Sequence, residues 1–432
     1  MSESRSVVGE YRPRLIDDVL AGHLRVFPAV MISGPRAVGK TTSARRQSAA
    51  VVRLDQPAQA AAFLADPDAA LRDRPEPLLL DEWQEVPGVL GAVKRAVDDD
   101  ARPGRFVLTG SVRADLESRV WPGTGRLVRL TMYGLTERER QHVQPLSPMF
   151  VDQLTAGNPN RWPLPAVRPD LRGYVETALR GGFPLIALAD HTSSERNSAV
   201  YSYLDQLLTR DAPRPIAERD PRRLRAYFEA IAANTAGIVE HKTLYDAAHI
   251  DKKTAAVYDR LLADLYIADE LPAWASNRLD RLIKTTKRYV VDPALMAAAL
   301  AATTATILAD GDLLGRLLDT FVVTQLRAEL ALAASPARLY HLRTKAGREE
   351  VDIIIELANR QLIGLEIKAT ASPNRHDARH LRWLRDQYPT RFLTGGVLHT
   401  GPDTYKLDNN IHAIPICALW NTPAPPLAGD PT

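Results

Sequence analysis

Of its 432 residues the chain spends only one on cysteine, Cys417. No disulfide can close within the chain, which fits a reducing compartment such as the cytoplasm. The thiol lies in the apolar run AIPICALW, where a free cysteine is expected to be a buried core residue. Long apolar runs are lacking too. Nowhere do about 18 apolar residues follow one another, so no segment reads as a membrane span. The opening MSESRSVVGEYRPR has no apolar core of signal-peptide length. Charge of one sign is nearly balanced out. A formal net charge of +3 permits a polyanionic partner without arguing for one, because local patches decide. The sequence shows no internal repeat. What remains, 45% hydrophobic and 25% charged residues, is the make-up of a folded globular protein too long for one ordinary core.

Three parts are expected, with boundaries at 1–150, 151–300 and 301–420, followed by a disordered tail over 421–432 (NTPAPPLAGDPT). In the first part AVMIS, VVRLD, PLLLDE and RFVLTGS read as strands separated by amphipathic segments, the alternation of a parallel α/β sheet. Proline-rich sequence (QPLSPMF, NPNRWPLPAVRPD) marks the boundary. The middle reads as helical, and the last part as helix, hairpin, helix and strand.

GPRAVGKT, Gly34 to Thr41, fits G-x-x-x-x-G-K-[ST] at every fixed position, after an apolar strand and before a helix-like stretch. In the loop of Gly34, Pro35, Arg36, Ala37, Val38 and Gly39 the backbone N–H groups, of which Pro35 has none, would line a phosphate, with Lys40 on the terminal phosphates. Thr41, followed by Thr42, would offer a hydroxyl to Mg²⁺. LLLDEWQ then ends a fully apolar strand on Asp81, a Mg²⁺ partner through water, and Glu82, which would orient the attacking water. RFVLTGS brings Thr109 and Ser111 to the same edge as candidate sensors of the terminal phosphate. ATP with Mg²⁺ is the ligand these residues imply.

In the middle, EHKTLYDAAHIDKKTAAVYDRLLADLYIADEL has the shape of a winged helix-turn-helix, with Asp251 as N-cap of its second helix. Lys252, Lys253, Thr254, Tyr258 and Arg260 would face phosphates or base edges, or the module would serve packing alone. The last part holds VDIIIELANRQLIGLEIKA, two apolar runs around a polar tip with charges set into them. Asp352, thirteen residues, then Glu366-Ile-Lys368 matches the D…(D/E)-x-K pattern of the PD-(D/E)XK nuclease superfamily. A tight hairpin would let the two carboxylates share Mg²⁺ or Mn²⁺, and Lys368, on the same strand face as Glu366, would hold or deprotonate the attacking water. A salt bridge between Glu366 and Lys368 on a charged hairpin is the alternative. Arg375, Arg379 and Arg382 recur at helical spacing and could track a nucleic-acid backbone, while His376 and His380 lack a third metal ligand.

The P-loop combination resembles the AAA+ ATPases. GPRAVGKTT, LLLDEWQEVP, FVLTGS, GGFP (181–184) and the C-terminal hairpin together resemble one bacterial and archaeal family. Its members join a P-loop ATPase to a C-terminal domain of unknown function with a restriction-endonuclease-like core. The resemblance implies that Arg126, in WPGTGRLVRL, is an arginine finger offered to a neighbouring subunit of a ring-like homo-oligomer, with Arg119 as the competing choice. It also implies that Asp319, in GRLLDTFVVTQL, stands where the family commonly has a metal-binding glutamate. After GGFP the family commonly has an acidic residue, where this chain has Leu185. The expected protein is a cytoplasmic Mg²⁺-dependent ATPase with DNA as partner. Its C-terminal domain either cuts DNA, or only binds DNA or a protein in an ATP-driven switch.

Overall fold

The computed structural model describes residues 11–111, 125–141, 149–156, 164–209, 220–277, 280–281, 285–344 and 347–420. Arg119 and the 421–432 tail lie outside the described residues.

Five parallel strands form the first sheet: β1 (Ala29–Ser33), β2 (Ala50–Arg53), β3 (Leu78–Asp81), β4 (Phe106–Gly110) and β5 (Leu127–Thr131), in the order β2-β3-β4-β1-β5. Every residue of β1, β3 and β4 is buried, as strands covered on both faces must be, and their unbroken apolar runs follow from that. On one face the helix Gly88–Asp99 packs Val89, Val93 and Val97 against Met31, Leu80 and Leu108. The register sets Asp81 beside Thr109, and Thr109 beside Ile32, so the carboxyl ends of β1, β3 and β4 share one edge.

The middle part contains the helices Leu171–Arg180, Ser193–Thr209 and Pro221–Ala233, then His241–Ala247 and Lys252–Asp264 joined by a short turn. Two antiparallel strands follow, β6 (Ala268–Leu271) and β7 (Lys287–Val290). In the last part the helix Gly311–Glu329 precedes β8 (Ala337–Arg343), β9 (Glu350–Leu357) and β10 (Leu362–Lys368). The helix Arg379–Gln387 then leads to β11 (Phe392–His399), β12 (Tyr405–Asp408) and β13 (Ile411–Pro415). The resulting mixed sheet runs β12-β13-β11-β10-β9-β8, with β9 and β10 the expected antiparallel hairpin and β11 parallel to β10.

Beside a cluster on one face of the first sheet and another between the C-terminal sheet and the helix Arg379–Gln387, the three parts share a large core. One apolar cluster runs from Val30 and Ile32 through Tyr174, Leu204, Phe228 and Leu262 to Leu318, Ile355 and Trp420. Cys417 lies in it, fully buried as expected, with its backbone N–H donating to the Tyr174 hydroxyl at 3.0 Å. Polar anchors cross the same seam. Thr136 caps the short helix Glu137–Arg140, which points Arg138 inward onto Glu329 at 2.9 Å, both almost fully buried. Glu329 also accepts from the Phe150 N–H at 2.9 Å, and Gln325, one helical turn earlier, accepts from the Glu137 N–H at 2.8 Å. Burial pushes the Glu329 carboxyl upward, and the Arg138 guanidinium opposes that shift. Arg138→Ala strands a buried carboxylate, so it is expected to cost about 3–5 kcal/mol in chemical denaturation, whereas replacing both partners by apolar residues should cost much less.

Candidate functional site

The loop after β1 curls because its backbone alternates in hand, with Ala37 at φ +58° and Gly39 at φ +99°. Gly34, at φ +150°, lies so close to Met132 that a β-carbon there would sit 2.1 Å from the Met132 carbonyl oxygen, so glycine is required. Lys40 opens the helix Lys40–Arg46 and is buried, its ammonium donating to the carbonyls of Gly34 at 3.0 Å and Pro35 at 2.7 Å. Burial lowers its pKa to about 8, with the Glu82 and Asp81 charges opposing. The Thr41 hydroxyl donates to Asp81 Oδ1 at 2.7 Å, and the Thr109 hydroxyl donates to the same oxygen. Thr109 therefore positions Asp81 instead of facing the loop. Glu82, in the left-handed region at φ +54°, takes the Gln84 amide and, at 3.4 Å, the Ser111 hydroxyl. Val38 is packed in the core and Thr42 is exposed, so Val38 lends only its backbone to the loop.

Two supports of this loop have no local sequence signal. Arg14 is buried behind it and donates to the carbonyls of Val38 at 2.6 Å and Tyr133 at 2.9 Å, while its Nε meets Glu139 at 2.9 Å. The Tyr203 hydroxyl, from the helix Ser193–Thr209, donates to the Arg36 carbonyl at 2.9 Å. A hydroxyl, a carboxylate and an ammonium at the mouth of a glycine cradle fit a Mg²⁺–nucleotide, whose hard cation takes oxygen donors. Arg126 is ion-paired with Asp98 of its own chain. It precedes Leu127, which pairs with Ala29 at the start of β1, so it lies at the far end of the sheet from its own loop.

The C-terminal charges meet as a cluster that includes residues sequence reasoning missed. Lys287, the first residue of β7, is almost fully buried. Its ammonium donates to Asp319 Oδ2 at 2.9 Å and to Asp352 Oδ1 at 3.3 Å. Two residues along β7, the Tyr289 hydroxyl donates to Asp319 Oδ1 at 2.9 Å. Asp352 also accepts the Ile367 N–H at 3.1 Å, where the β9–β10 ladder has ended. A β-bulge aims it there: Tyr340 pairs with Ile354 and Leu342 with Val351, so His341 alone opposes both Asp352 and Ile353. Lys368 donates to Glu366 Oε2 at 2.9 Å, and Glu366 Oε1 is buried without a hydrogen bond. Glu366 and Lys368 share their strand face with Gly364, which lies against Leu381 and Leu384, while Leu365 and Ile367 face the large core. Burial, and after it the Asp352 charge, pushes Glu366 up to about 8. Burial likewise raises Asp319 to about 6, and Lys287 pulls Asp352 below its ordinary value against the effect of burial. The expected metal set of Asp319, Asp352 and Glu366 thus carries lysine ammoniums at hydrogen-bond distance. Among the described residues no group of three or more such ligands is placed to hold a metal ion.

The helix-turn-helix residues divide. Asp251 caps the helix Lys252–Asp264 as expected, accepting from the N–H groups of Lys253 and Thr254. Lys252, Lys253 and Arg260 are exposed, and the Thr254 hydroxyl is spent on Asp251 at 2.8 Å. Tyr258 does not face outward: it is buried with its ring centroid 6.1 Å from that of Tyr227, because it falls on the helix face shared by Ala255, Leu261 and Leu262. Arg375 precedes its helix and pairs with Asp408 at 2.8 Å, so it shares no helical face with Arg379 and Arg382. His380 meets Glu349 at 2.6 Å and His376 meets Arg379 at 2.9 Å, so the two imidazoles are engaged separately.

Residues 26–141 match the family described as an AAA domain. Residues 171–306 and 314–419 match two families described as domains of unknown function, DUF8612 and DUF4143. The segment 26–141 is thus similar to an AAA domain and stands ahead of the two others, and among the described residues no helix is long and apolar enough to cross a membrane. Uncharacterized proteins of Mycobacterium tuberculosis and Mycobacterium bovis are each 27% identical over 403 residues, covering 91% of this chain and 81% of theirs. A Walker-type ATPase of Pyrococcus abyssi is similar with a TM-score of 0.41 and 13% identity, covering 67% of this chain and 99% of that one.

Two pH dependences follow. A bound phosphate favours charged Lys40, whose free form loses its proton near pH 8, so ATP affinity should be flat below pH 8 and weaken above it; titration of a fluorescent nucleotide from pH 6.5 to 9.5 reads this. Glu366 holds its proton up to about pH 8 when folded but only to about 4.5 when unfolded. The folded state therefore binds more protons in that window, and stability is lost as pH rises through it. Glu366→Gln should remove that contribution, so its melting temperature should gain on wild type between pH 5 and pH 8.5.

Proposed function

We propose that the protein is a Mg²⁺-dependent ATPase whose nucleotide state acts on a C-terminal domain that engages DNA. The observation that carries the reading is the shared edge of β1, β3 and β4, where Lys40, Thr41 and Asp81 converge on a glycine cradle. In this reading Lys40 leaves the Gly34 and Pro35 carbonyls for the terminal phosphates of ATP. Thr41 and Asp81 hold Mg²⁺, which neutralises phosphate charge when bound. Glu82, steadied by Gln84 and Ser111, orients the attacking water. Lys252, Lys253 and Arg260 supply an exposed basic rim for DNA phosphates on a winged-helix module. Arg126 would have to leave Asp98 to serve a neighbouring subunit of a homo-oligomer.

The order of helix, three antiparallel strands, helix and parallel strand, with Asp352 and Glu366 on neighbouring strands, supports a PD-(D/E)XK-like C-terminal domain. There Lys287 and Lys368 already hold its carboxylates. That observation favours a second reading, an ATP-driven switch whose nuclease-like domain binds DNA without cutting it.

Lys40→Met should abolish ATP turnover in a phosphate-release assay, and Glu82→Gln should lower it by about 100-fold or more while nucleotide still binds. Turnover at the wild-type rate in Lys40→Met would sink the assignment. Lys252→Glu with Lys253→Glu should weaken binding of a duplex oligonucleotide and leave turnover intact. Incubating wild type and Asp352→Ala with plasmid, Mn²⁺ and ATP separates the two readings: nicking lost in the variant means a nuclease, and no nicking by turnover-competent wild type means a switch.

A further inference from the structure

In the C-terminal cluster the carboxylates and their counter-ion come from different parts of the chain. Asp319 and Asp352 belong to the segment 314–419, whereas Lys287 and Tyr289 belong to the segment 171–306. β7, which carries both, pairs with β6 and, through a single bridge at Arg288, with Gly237; among the described residues it adds no strand to the sheet that holds Asp352. Where this segment meets that sheet the polar contacts are the Trp274 N–H to the His341 carbonyl at 2.6 Å, the His341 N–H to the Pro272 carbonyl at 3.0 Å, the His341 ring to the Thr285 carbonyl at 3.0 Å, and Arg281, which donates to both oxygens of Glu356 at 2.6 and 3.0 Å.

We infer that Lys287 is an internal counter-ion that closes the Asp319–Asp352 pair to divalent cations for as long as β7 is docked. The inference rests on reading the C-terminal site as a nuclease-like carboxylate site. Its ammonium bridges two carboxylates of different elements, a role a hard divalent cation fills when oxygen donors converge. The charge count is uneven: two lysines, Lys287 and Lys368, face three carboxyl groups, Asp319, Asp352 and Glu366. The uneven share falls on Glu366, whose Oε1 is buried with no hydrogen bond, an acceptor already enclosed and unused. Tyr289 keeps Asp319 turned toward the lysine, so the closed arrangement is satisfied at two of its three carboxylates. Withdrawing β7 would leave Asp319 and Asp352 as buried like charges, and a divalent cation is the simplest replacement for the lost ammonium.

The test is Mn²⁺ binding to the full chain without nucleotide, read by the loss of free-ion electron paramagnetic resonance signal. Asp352→Asn variants identify the site. Wild type should bind no Mn²⁺ in an Asp352-dependent way, Lys287→Met should gain one such ion with at least tenfold tighter binding, and Lys287→Met with Asp352→Asn should lose it again. Should Lys287→Met fail to fold, Lys287→Met with Asp319→Asn removes one charge of each sign and reads the same gain through Asp352 and Glu366. Wild type that already binds an Asp352-dependent ion as tightly as Lys287→Met overturns the closure and leaves the nuclease-like reading standing. Folded Lys287 variants that bind none overturn the inference together with that reading.

Discussion

Buried charges that must find partners fasten this molecule together, and the helix Gly311–Glu329 is where the most of them meet. At its C-terminal end Glu329 takes Arg138 of the AAA-like segment, and Gln325 takes the backbone beside it. At its middle Asp319 takes Lys287 and Tyr289 of β7, and the next residue, Thr320, meets Thr235 of the helical part at 3.0 Å. Each contact would be costly to leave half-made in an apolar interior. The helix therefore cannot shift against one neighbour without disturbing the others. This explains why three segments matched by three separate families share one continuous core.

Where both faces of a strand are buried, the sequence is a direct record of it. AVMIS is β1 residue for residue, and Leu78–Asp81 and Phe106–Gly110 fall within a residue or two of their apolar runs. β5 was not legible because it is an edge strand, with one buried residue of five, whose LVRLT carries neither a long apolar run nor strict alternation. The P-loop and its acidic strand end were legible because their spacing is local. Arg14, Lys287 and Tyr289 were not. Lys287 lies 32 residues from Asp319 and 65 from Asp352, and nothing in KRYV marks it as an interior cation. Asp352 shows a subtler limit. Strand alternation groups it with Ile354 and Glu356, but the bulge opposite His341 resets the parity, and only the pairing register reveals that.

The two candidate sites differ in how their cations are held. Lys40 rests on two neutral carbonyls, Gly34 and Pro35, and burial lowers its pKa, so its charge is poorly compensated at home and well placed to gain from a phosphate. Lys287 sits between two carboxylates, which raise its pKa well above the ordinary lysine range although burial works against them. One ammonium is poised to change partners; the other is already satisfied. The same residue type thus serves opposite ends, and the difference lies entirely in what surrounds the nitrogen.

GGFP shows how the edge of the first sheet and β7 are joined. Gly182 accepts the Leu135 N–H at 2.6 Å and gives its own N–H to Asp292 at 2.7 Å. A β-carbon on Gly182 would lie 2.8 Å from the Leu135 nitrogen, and one on Gly181 would lie 2.9 Å from the Ala294 β-carbon, so both glycines are demanded by close approach. Asp292 follows β7 by two residues and caps the helix Pro293–Ala299, and its burial raises its pKa to about 6. Leu135 lies four residues beyond β5, in the segment whose Met132 presses on Gly34. A chain of contacts, all backbone except the Asp292 carboxylate, therefore runs from the phosphate loop through Met132, Leu135, Gly182 and Asp292 to the strand that carries Lys287. Leu185, where the resembled family commonly has an acidic residue, is 80% exposed and lies outside this chain of contacts, so the departure leaves no interior partner unsatisfied. The glycines, not a carboxylate at that position, are what the junction requires.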